Sequence, residues 1–362
     1  MMATDKMRLD EVKHKISSLQ AFLRDERVDA LRFKGVDWFS WVTGGGDSHV
    51  IFSNEAGVAE VVITKDHAIV LTDEIEKERL ALEQVPSVFG FVSFPWAEPA
   101  RPDEFVAKIG ARILSDRPSR REQLVTAPLV SMKTKFCDQE VERYRSLGAD
   151  ANEAAIEALS QARPEMSEWD LAGLAAKALW KRGIHPLLTL AAGERRVQVH
   201  RHPVASAEKL ERHAMLVICG RRHGLFANLT RHRYFEEPSS RERERMQAVA
   251  EVESEAFAAT EARGSLADVY ARLRLKYASL GFANEIERHH QGGPTGYLSR
   301  ESIANPTNSW RIEPRQAFAW NPSLPGAKVE DTVWLNDAGK LEILTSRDRA
   351  NFTNRGIIER WS

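Results

Sequence analysis

Apolar positions along the chain recur with two periods. Val12, Ile16, Leu19 and Leu23 follow the spacing of one helical face and predict a helix over 8–27. Residues 28–33 then read as a strand. Short apolar runs at 60–63, 68–71, 88–91 and 124–127 predict further strands, with Lys65-Asp66 turning between the first two. Helices are expected over 74–83 and 103–115. This alternation predicts a smaller α/β domain at residues 1–130. Within it, the segment DWFSWVTGGGDSHV sets Trp38 and Trp41 ahead of three consecutive glycines and Asp47. Glycine allows close backbone approach and tryptophan favours partly buried contact. The segment reads as a hairpin turn with two core tryptophans, or as a lid or partner-facing loop that brings Trp41 and Asp47 to a ligand.

Residues 128–137 read as a linker, and a second domain, 131–362, follows with a different pattern. A long helix is predicted over 138–162, with Val141, Tyr144, Leu147, Ala151, Ala155 and Leu159 on one side. Ala162-Arg163-Pro164 stops it. Ser167-x-x-Asp170 resembles a capping box with Asp in place of Glu or Gln, and its helix closes at Gly183. The arrangement then recurs: a helix over 239–261, Ala262-Arg263-Gly264, Ser265-x-x-Asp268, and closure at Gly281. Strands rich in His, Arg and Gly follow each copy, at 187–191, with Val197 to Pro203 after it, 215–219 and 225–230, then at 285–290, 318–321, 329–335 and 341–344. This is an internal duplication. Two αα-β halves would pack their helices on one side of a shared antiparallel sheet, with a site on the other face where the halves meet.

Composition narrows the function classes. The chain has 43% apolar and 28% charged residues and a net charge of -1, which is ordinary for a globular protein and gives no global field toward nucleic acid or an anionic membrane. Acids interleave the Arg241–Arg245 cluster. The two cysteines, Cys137 and Cys219, argue against a disulfide framework and fit a reducing compartment. No apolar run approaches the ~20 residues of a membrane span, and MMATDKMRLDEVKHK has no apolar core of a secretory signal. A cytoplasmic location is expected.

Four motifs in order carry a resemblance. Glu330-Asp331-Thr332-Val333, with Gly339 and Leu344-Thr345 beyond it, resembles the Glu-Asp-Thr strand and Leu-Thr ending of the creatinase, aminopeptidase P and prolidase superfamily. Asn228-Leu-Thr-Arg231 resembles its Asp-x-Thr-Arg strand, His200 to Pro203 its His-x-x-Pro, and His290-x-Gly-Gly293 the start of its His-rich Gly turn. The resemblance implies an α+β fold: a pita-bread domain with duplicated αα-β halves around a curved antiparallel sheet, preceded by a creatinase-type N-terminal domain. Metallopeptidases of this superfamily hold two metal ions through two Asp, one His and two Glu. Here those positions fall at Ile218 or Cys219, at Asn228, at Pro294, at Asn321 and at Glu330, so only Glu330 keeps its carboxylate. Two divalent ions need several anionic oxygens, and no dinuclear centre is expected. A residual single-ion site would draw on His200, His202, His290 and Glu330.

By this resemblance the chain is a metal-independent creatinase-like hydrolase. It would act on a C–N bond of a small polar nitrogen compound bearing a carboxylate or similar anion, without a cofactor. His200 would shuttle the proton, with His290 and Glu330 in the catalytic set. Asn228 and Asn321 would orient the substrate, as neutral isosteres that donate and accept hydrogen bonds. Arg300 would take its anionic end. Arg231 would do the same or pair structurally with an acid, and His202 and His289 would complete the pocket. Creatine itself is disfavoured, because the acidic guanidinium-binding residue appears as Thr230. Cys219 is read as an inert strand thiol. One alternative is a catalytically inactive pita-bread domain that binds a small ligand or peptide. Another is an Xaa-Pro hydrolase with an atypical metal site. The resemblance also implies a homodimer, in which residues 38–49 of one chain reach the other's pocket.

Overall fold

The computed structural model describes residues 2–119 and 121–346. The chain divides into two compact units, the first ending at Val141 and the second beginning at Glu142; the sequence pattern put the boundary at residue 130.

The first unit contains α1 (Met2–Asp25), β1 (Ala30–Gly35), α2 (Val36–Val42), β2 (Ala56–Thr64), β3 (Ala68–Asp73), the single turn α3 (Lys77–Arg79) running into a π-helical turn, β4 (Gly90–Phe94), α4 (Arg101–Ala107), β5 (Ile113–Ser115), β6 (Gln123–Leu124) and α5 (Ala127–Thr134). Its sheet has the order β4-β3-β2-β1-β5-β6, with β2 antiparallel to both neighbours and the other pairings parallel. Two expectations are corrected. The helix expected over 103–115 stops at Ala107, and Ile113–Ser115 instead pairs with β1, burying Ile113 and Leu114. The expected linker is mostly helical, with a proline in the first turn of α5, where a missing N–H costs nothing.

The tryptophan segment forms helix α2 and not a hairpin turn. Trp38 stacks on Phe33 at 4.7 Å between ring centroids, and Trp41 meets Trp38 edge-on at 5.6 Å. Both tryptophans are buried. Lys15 Nζ lies 5.4 Å from the Trp41 ring centroid and donates to its carbonyl at 2.8 Å. Gly44 and Gly45, at φ +67° and +98°, then turn the chain out of α2, a conformation that glycine adopts without cost. Asp47 accepts from the His49 backbone at 2.9 Å. Val50, which ends this segment, and Ile51 and Phe52 beyond it are exposed.

α6 (Asp138–Gln161) spans the division. The second unit continues with α7 (Glu168–Trp180), β7 (His185–Gly193), α8 (Glu194–Val199), β8 (His213–Arg222), β9 (Leu225–Tyr234), α9 (Ser240–Ala259), α10 (Leu266–Ser279), β10 (Gly292–Thr295), β11 (Ala317–Trp320), β12 (Ser323–Leu324), β13 (Ala327–Lys328), β14 (Asp331–Leu335) and β15 (Leu341–Ile343). Two antiparallel sheets form, β7-β8-β9 and β10-β11-β14-β15, beside the small hairpin β12-β13. Val197 to Val199 form the end of α8. The strand expected over 285–290 is a 3-10 turn, Ala283–Arg288, in which Ile286 alone is buried, so no alternating face exists to pair.

The duplication is visible in matching details. Ser167 and Ser265 both cap helices reciprocally: the Asp170 and Asp268 carboxylates accept from the serine backbone N–H at 2.8 and 3.0 Å. Each serine also forms an isolated antiparallel bridge to a later residue, Lys209 in the first half and Arg311 in the second. Helices α9 and α10 bury Val249, Val252, Leu266 and Leu273 with Phe318, Trp320, Val333 and Leu335 of the second sheet. The fold is α+β, with the duplicated αα-β halves of a pita-bread domain.

Candidate functional site

The two sheets of the second unit are joined along β9 and the strand that runs into β14. Thr230 N–H donates to the Glu330 carbonyl at 3.1 Å. Asn228 N–H donates to Thr332 Oγ1 at 2.8 Å, and that hydroxyl donates back to the Asn228 carbonyl at 2.9 Å. Side chains alternate along extended backbone, so Asn228 and Thr230 share one face of β9, and Lys328, Glu330 and Thr332 one face of the opposing segment. Residues one step out of phase point the other way. Arg231 donates to Asp331 Oδ1 and to Asn152 Oδ1 of α6, both at 2.8 Å, and to the Thr345 carbonyl at 2.7 Å. Arg231 therefore takes the structural pairing on the helical side and not an anion in the pocket.

Glu330 is buried and surrounded by donors. Arg300 Nη2 donates to its Oε1 at 2.6 Å, Thr230 Oγ1 to its Oε2 at 3.2 Å, and Lys328 Nζ stands 3.8 Å from Oε2. Burial raises a carboxyl's pKa, but Lys328 and Arg300 outweigh it and hold Glu330 below the usual carboxylate range. Burial lowers Lys328, and Glu330 partly offsets this. Sequence reasoning missed Lys328. Its spacing two residues ahead of Glu330 on extended backbone was the available signal.

The amides of Asn228 and Asn321 are buried, and each keeps an open acceptor. Asn228 Nδ2 donates to Thr295 Oγ1 at 3.1 Å. The Oδ1 atoms of Asn228 and Asn321 have no hydrogen-bond partner among the described residues, nor do His290 Nδ1 and Arg300 Nε. A buried polar atom left unpaired costs about 1–3 kcal/mol, so four such atoms on residues of one site mark a place for a ligand.

Three imidazoles gather beside this cluster. His289 Nε2 lies 3.0 Å from His202 Nε2, and Ser323 Oγ lies 3.2 Å from His289 Nδ1. His290 stacks on His289 at 4.7 Å. Burial first, then the nearby cations, lower all three: His290 through Arg300 and Lys328 to about 4, His202 and His289 through Lys328. They are neutral near pH 7. His200, expected as the proton shuttle, is exposed at the end of α8. With Arg201, Ser323 and Lys328 it lines a cavity of about 10 Å³, the room of a single water. Burial and Glu330 push the Cys219 thiol up to about 12, which suits an inert thiol. Trp41 and Asp47 lie in the first unit, as described above.

The model of metallopeptidase family M24 matches residues 142–337, more than half of the chain, and the chain belongs to that family. A comparison with curated proteins finds no match. Among solved structures, the chain is similar to the prolidase from Pyrococcus horikoshii OT3, with a TM-score of 0.78 and 16% identity, covering 93% of this chain and 99% of that one. It is similar to the Xaa-Pro dipeptidase from Bacillus anthracis, at 0.77 and 17%, covering 96% and 100%. It is also similar to the N-terminal domain of FACT complex subunit SPT16 from Cicer arietinum, at 0.69 and 13%, covering 96% and 97%. These likenesses show the fold.

The family name implies metal, and the donor set here does not fit two ions. Asn228 and Asn321 are neutral, and Pro294 has no ligand atom. Glu330 is already held by Arg300 and flanked by Lys328. Two protein cations stand at the carboxylate that would have to bind metal.

Proposed function

We propose that the protein is a hydrolase that works without the two-ion centre of its family. Its substrate is a small polar nitrogen compound with an anionic end, and the bond cleaved is C–N. The observation that carries this reading is the pair of buried, unpaired amide oxygens on Asn228 and Asn321 beside the Arg300–Glu330–Lys328 cluster. Two open acceptors suit N–H donors of a substrate. Two cations against one carboxylate leave a net positive charge, which suits a carboxylate or an oxyanion that develops during attack.

Within this reading His290 is the group that accepts and returns the proton. Its ring is neutral near pH 7 and its Nδ1 has no partner among the described residues. His200 belongs to the mouth of the site and relays protons to solvent. Arg300 takes the anionic end, and Glu330 fixes Arg300 and Lys328. The homodimer and the cytoplasmic setting enter this proposal from the resemblance and the composition.

A panel of small carboxylates carrying amide, guanidino or N-alkyl groups, assayed for amine release with chelator-treated protein, tests the reading. Turnover is expected, and Asn228→Ala, Asn321→Ala and His290→Gln should each lower it at least tenfold. Wild-type rates in His290→Gln would remove the mechanism. One feature favours a second reading, a domain that binds its ligand without chemistry: the only carboxylate left from the cage is tied to Arg300. Saturable binding with no product across the panel would select it.

A further inference from the structure

We infer that His202, His289 and His290 form a site for one transition-metal ion of the Zn²⁺, Co²⁺ or Ni²⁺ class, distinct from the carboxylate cage of the family. Each histidine offers a ring nitrogen, and the three nitrogens lie within 4.8 Å of one another. The His202 and His289 Nε2 atoms face each other at 3.0 Å. Two neutral imidazoles so placed share one proton. Zinc–nitrogen bonds in a tetrahedron set neighbouring nitrogens about 3.3 Å apart, so an ion can replace that proton with little ring movement.

The surroundings have the features of a built site. Ser323 Oγ, 3.2 Å from His289 Nδ1, fixes the ring through its second nitrogen, as outer hydrogen bonds do for metal-bound histidines. His290 Nδ1 is buried with no partner among the described residues, so no protein hydrogen bond holds this nitrogen. The His202 residue is exposed and gives an ion a way in. A purely structural cluster accounts for the His202–His289 contact. It does not account for the unpaired His290 nitrogen or for an exposed ring as one of its members.

Local charge selects the metal. Lys328, Arg300 and Glu330 sum to +1 beside the trio, which disfavours hard cations that rely on anionic oxygens, such as Mg²⁺ and Ca²⁺. Ions whose affinity comes from imidazole nitrogen remain, and the same positive charge favours an anion in the open fourth position. The binding claim stands apart from the hydrolytic reading. Only its consequence rests on that reading: an ion on His290 occupies the lone pair needed for proton transfer, so occupancy and turnover exclude one another.

The test is a titration of untagged, chelator-treated full-length protein with Co²⁺, followed by visible absorption and calorimetry. One ion per chain is expected, with the d–d bands of a nitrogen-ligated site of low coordination number. His202→Ala and His290→Gln should weaken binding at least tenfold and Ser323→Ala about tenfold, whereas His67→Ala, at an exposed position in the first unit, should leave it unchanged. His202→Ala removes an exposed ring, and its circular dichroism and melting temperature report whether the fold is kept. Absence of saturable Co²⁺ and Zn²⁺ binding up to millimolar, or unchanged affinity in a folded His202→Ala protein, overturns the site.

Discussion

Arg300 Nη2 donates to Glu330 Oε1 across 2.6 Å, joining the segment after β10 to the one before β14 at a buried carboxylate. The side chains of this pair are 12% and 3% exposed, so removing one partner leaves a charge with little water to solvate it. Arg300→Met should therefore destabilise the second unit by about 3–5 kcal/mol. The double variant Arg300→Met/Glu330→Gln should recover part of that loss, because it buries no unpaired carboxylate and Lys328, already lowered by burial, sheds its proton once Glu330 is gone. Urea unfolding of the two singles and the double gives the coupling. Additive losses would mean that the two side chains act independently.

A second prediction concerns acid. His232 Nε2 lies 2.7 Å from the Lys328 carbonyl, which only accepts, so that nitrogen carries the proton. His232 Nδ1 must then accept from His213 Nε2 at 2.9 Å. Burial is the main cause that lowers both rings, with Arg231 and Lys328 adding to it at His232 while the Lys328 carbonyl opposes it; His232 falls to about 4, and His213 lies well below its ordinary value. For a lowered base the unfolded chain binds the proton more readily. The stability is thus fully present above 6.5, the ordinary imidazole value, and is lost as pH falls toward 4. His232 alone should contribute about 3 kcal/mol to that slope. His232→Gln keeps the donor to Lys328 and removes the titration, so its unfolding free energy should vary less between pH 7 and 4. An unchanged slope would assign the acid sensitivity elsewhere.

A third prediction tests the duplication. If Ser167 and Ser265 are equivalent caps, Ser167→Ala and Ser265→Ala should each cost about 1 kcal/mol, since each loses both bonds of its hydroxyl, one accepted from the Asp backbone N–H and one donated to the Asp carboxylate. Their backbone bridges to Lys209 and Arg311 need no side chain and should persist. Amide exchange at the first turns of α7 and α10 would rise in the respective variant and nowhere else.

The features legible in the sequence were those with a period or a fixed spacing. Both long helices, both Ser-x-x-Asp starts and the core strands of the second unit follow from alternation and capping, which are local. The reading of Asn228, Asn321 and Pro294 as replaced ligands rests on motif order, which the resemblance alone supplies. What the sequence hid was three-dimensional. Trp38 and Trp41 pack inside a short helix, because Phe33 of the preceding strand provides the ring they need, and no local pattern reports that contact. His202, His289 and His290 form a trio because α8 ends beside the turn before β10. Lys328 was overlooked because a lysine in a short apolar run reads as surface, and only burial against Glu330 reveals its role.

The fourth prediction concerns Gly292, which follows Gln291 and the two histidines. Its φ is +105°, and a Cβ added there would stand 2.0 Å from the Ala319 carbonyl oxygen, in the ladder between β10 and β11. Both the conformation and the contact exclude a side chain, and the opposing atom is backbone, so it cannot swing aside. Gly292→Ala should shift the ladder and cost at least about 3 kcal/mol. It should also move His289 and His290 relative to Asn321, whose N–H donates to the Gln291 carbonyl at 3.1 Å. The equivalent change at Gly339, φ +71° with no atom within 4 Å of an added Cβ, meets strain alone. Gly339→Ala should therefore cost only about 1 kcal/mol and leave the histidine ring signals in NMR spectra unmoved, whereas a folded fraction of Gly292→Ala should shift them. Equal losses in the two variants would mean that positive φ, and not the approach of β11, sets the requirement for glycine beside the site.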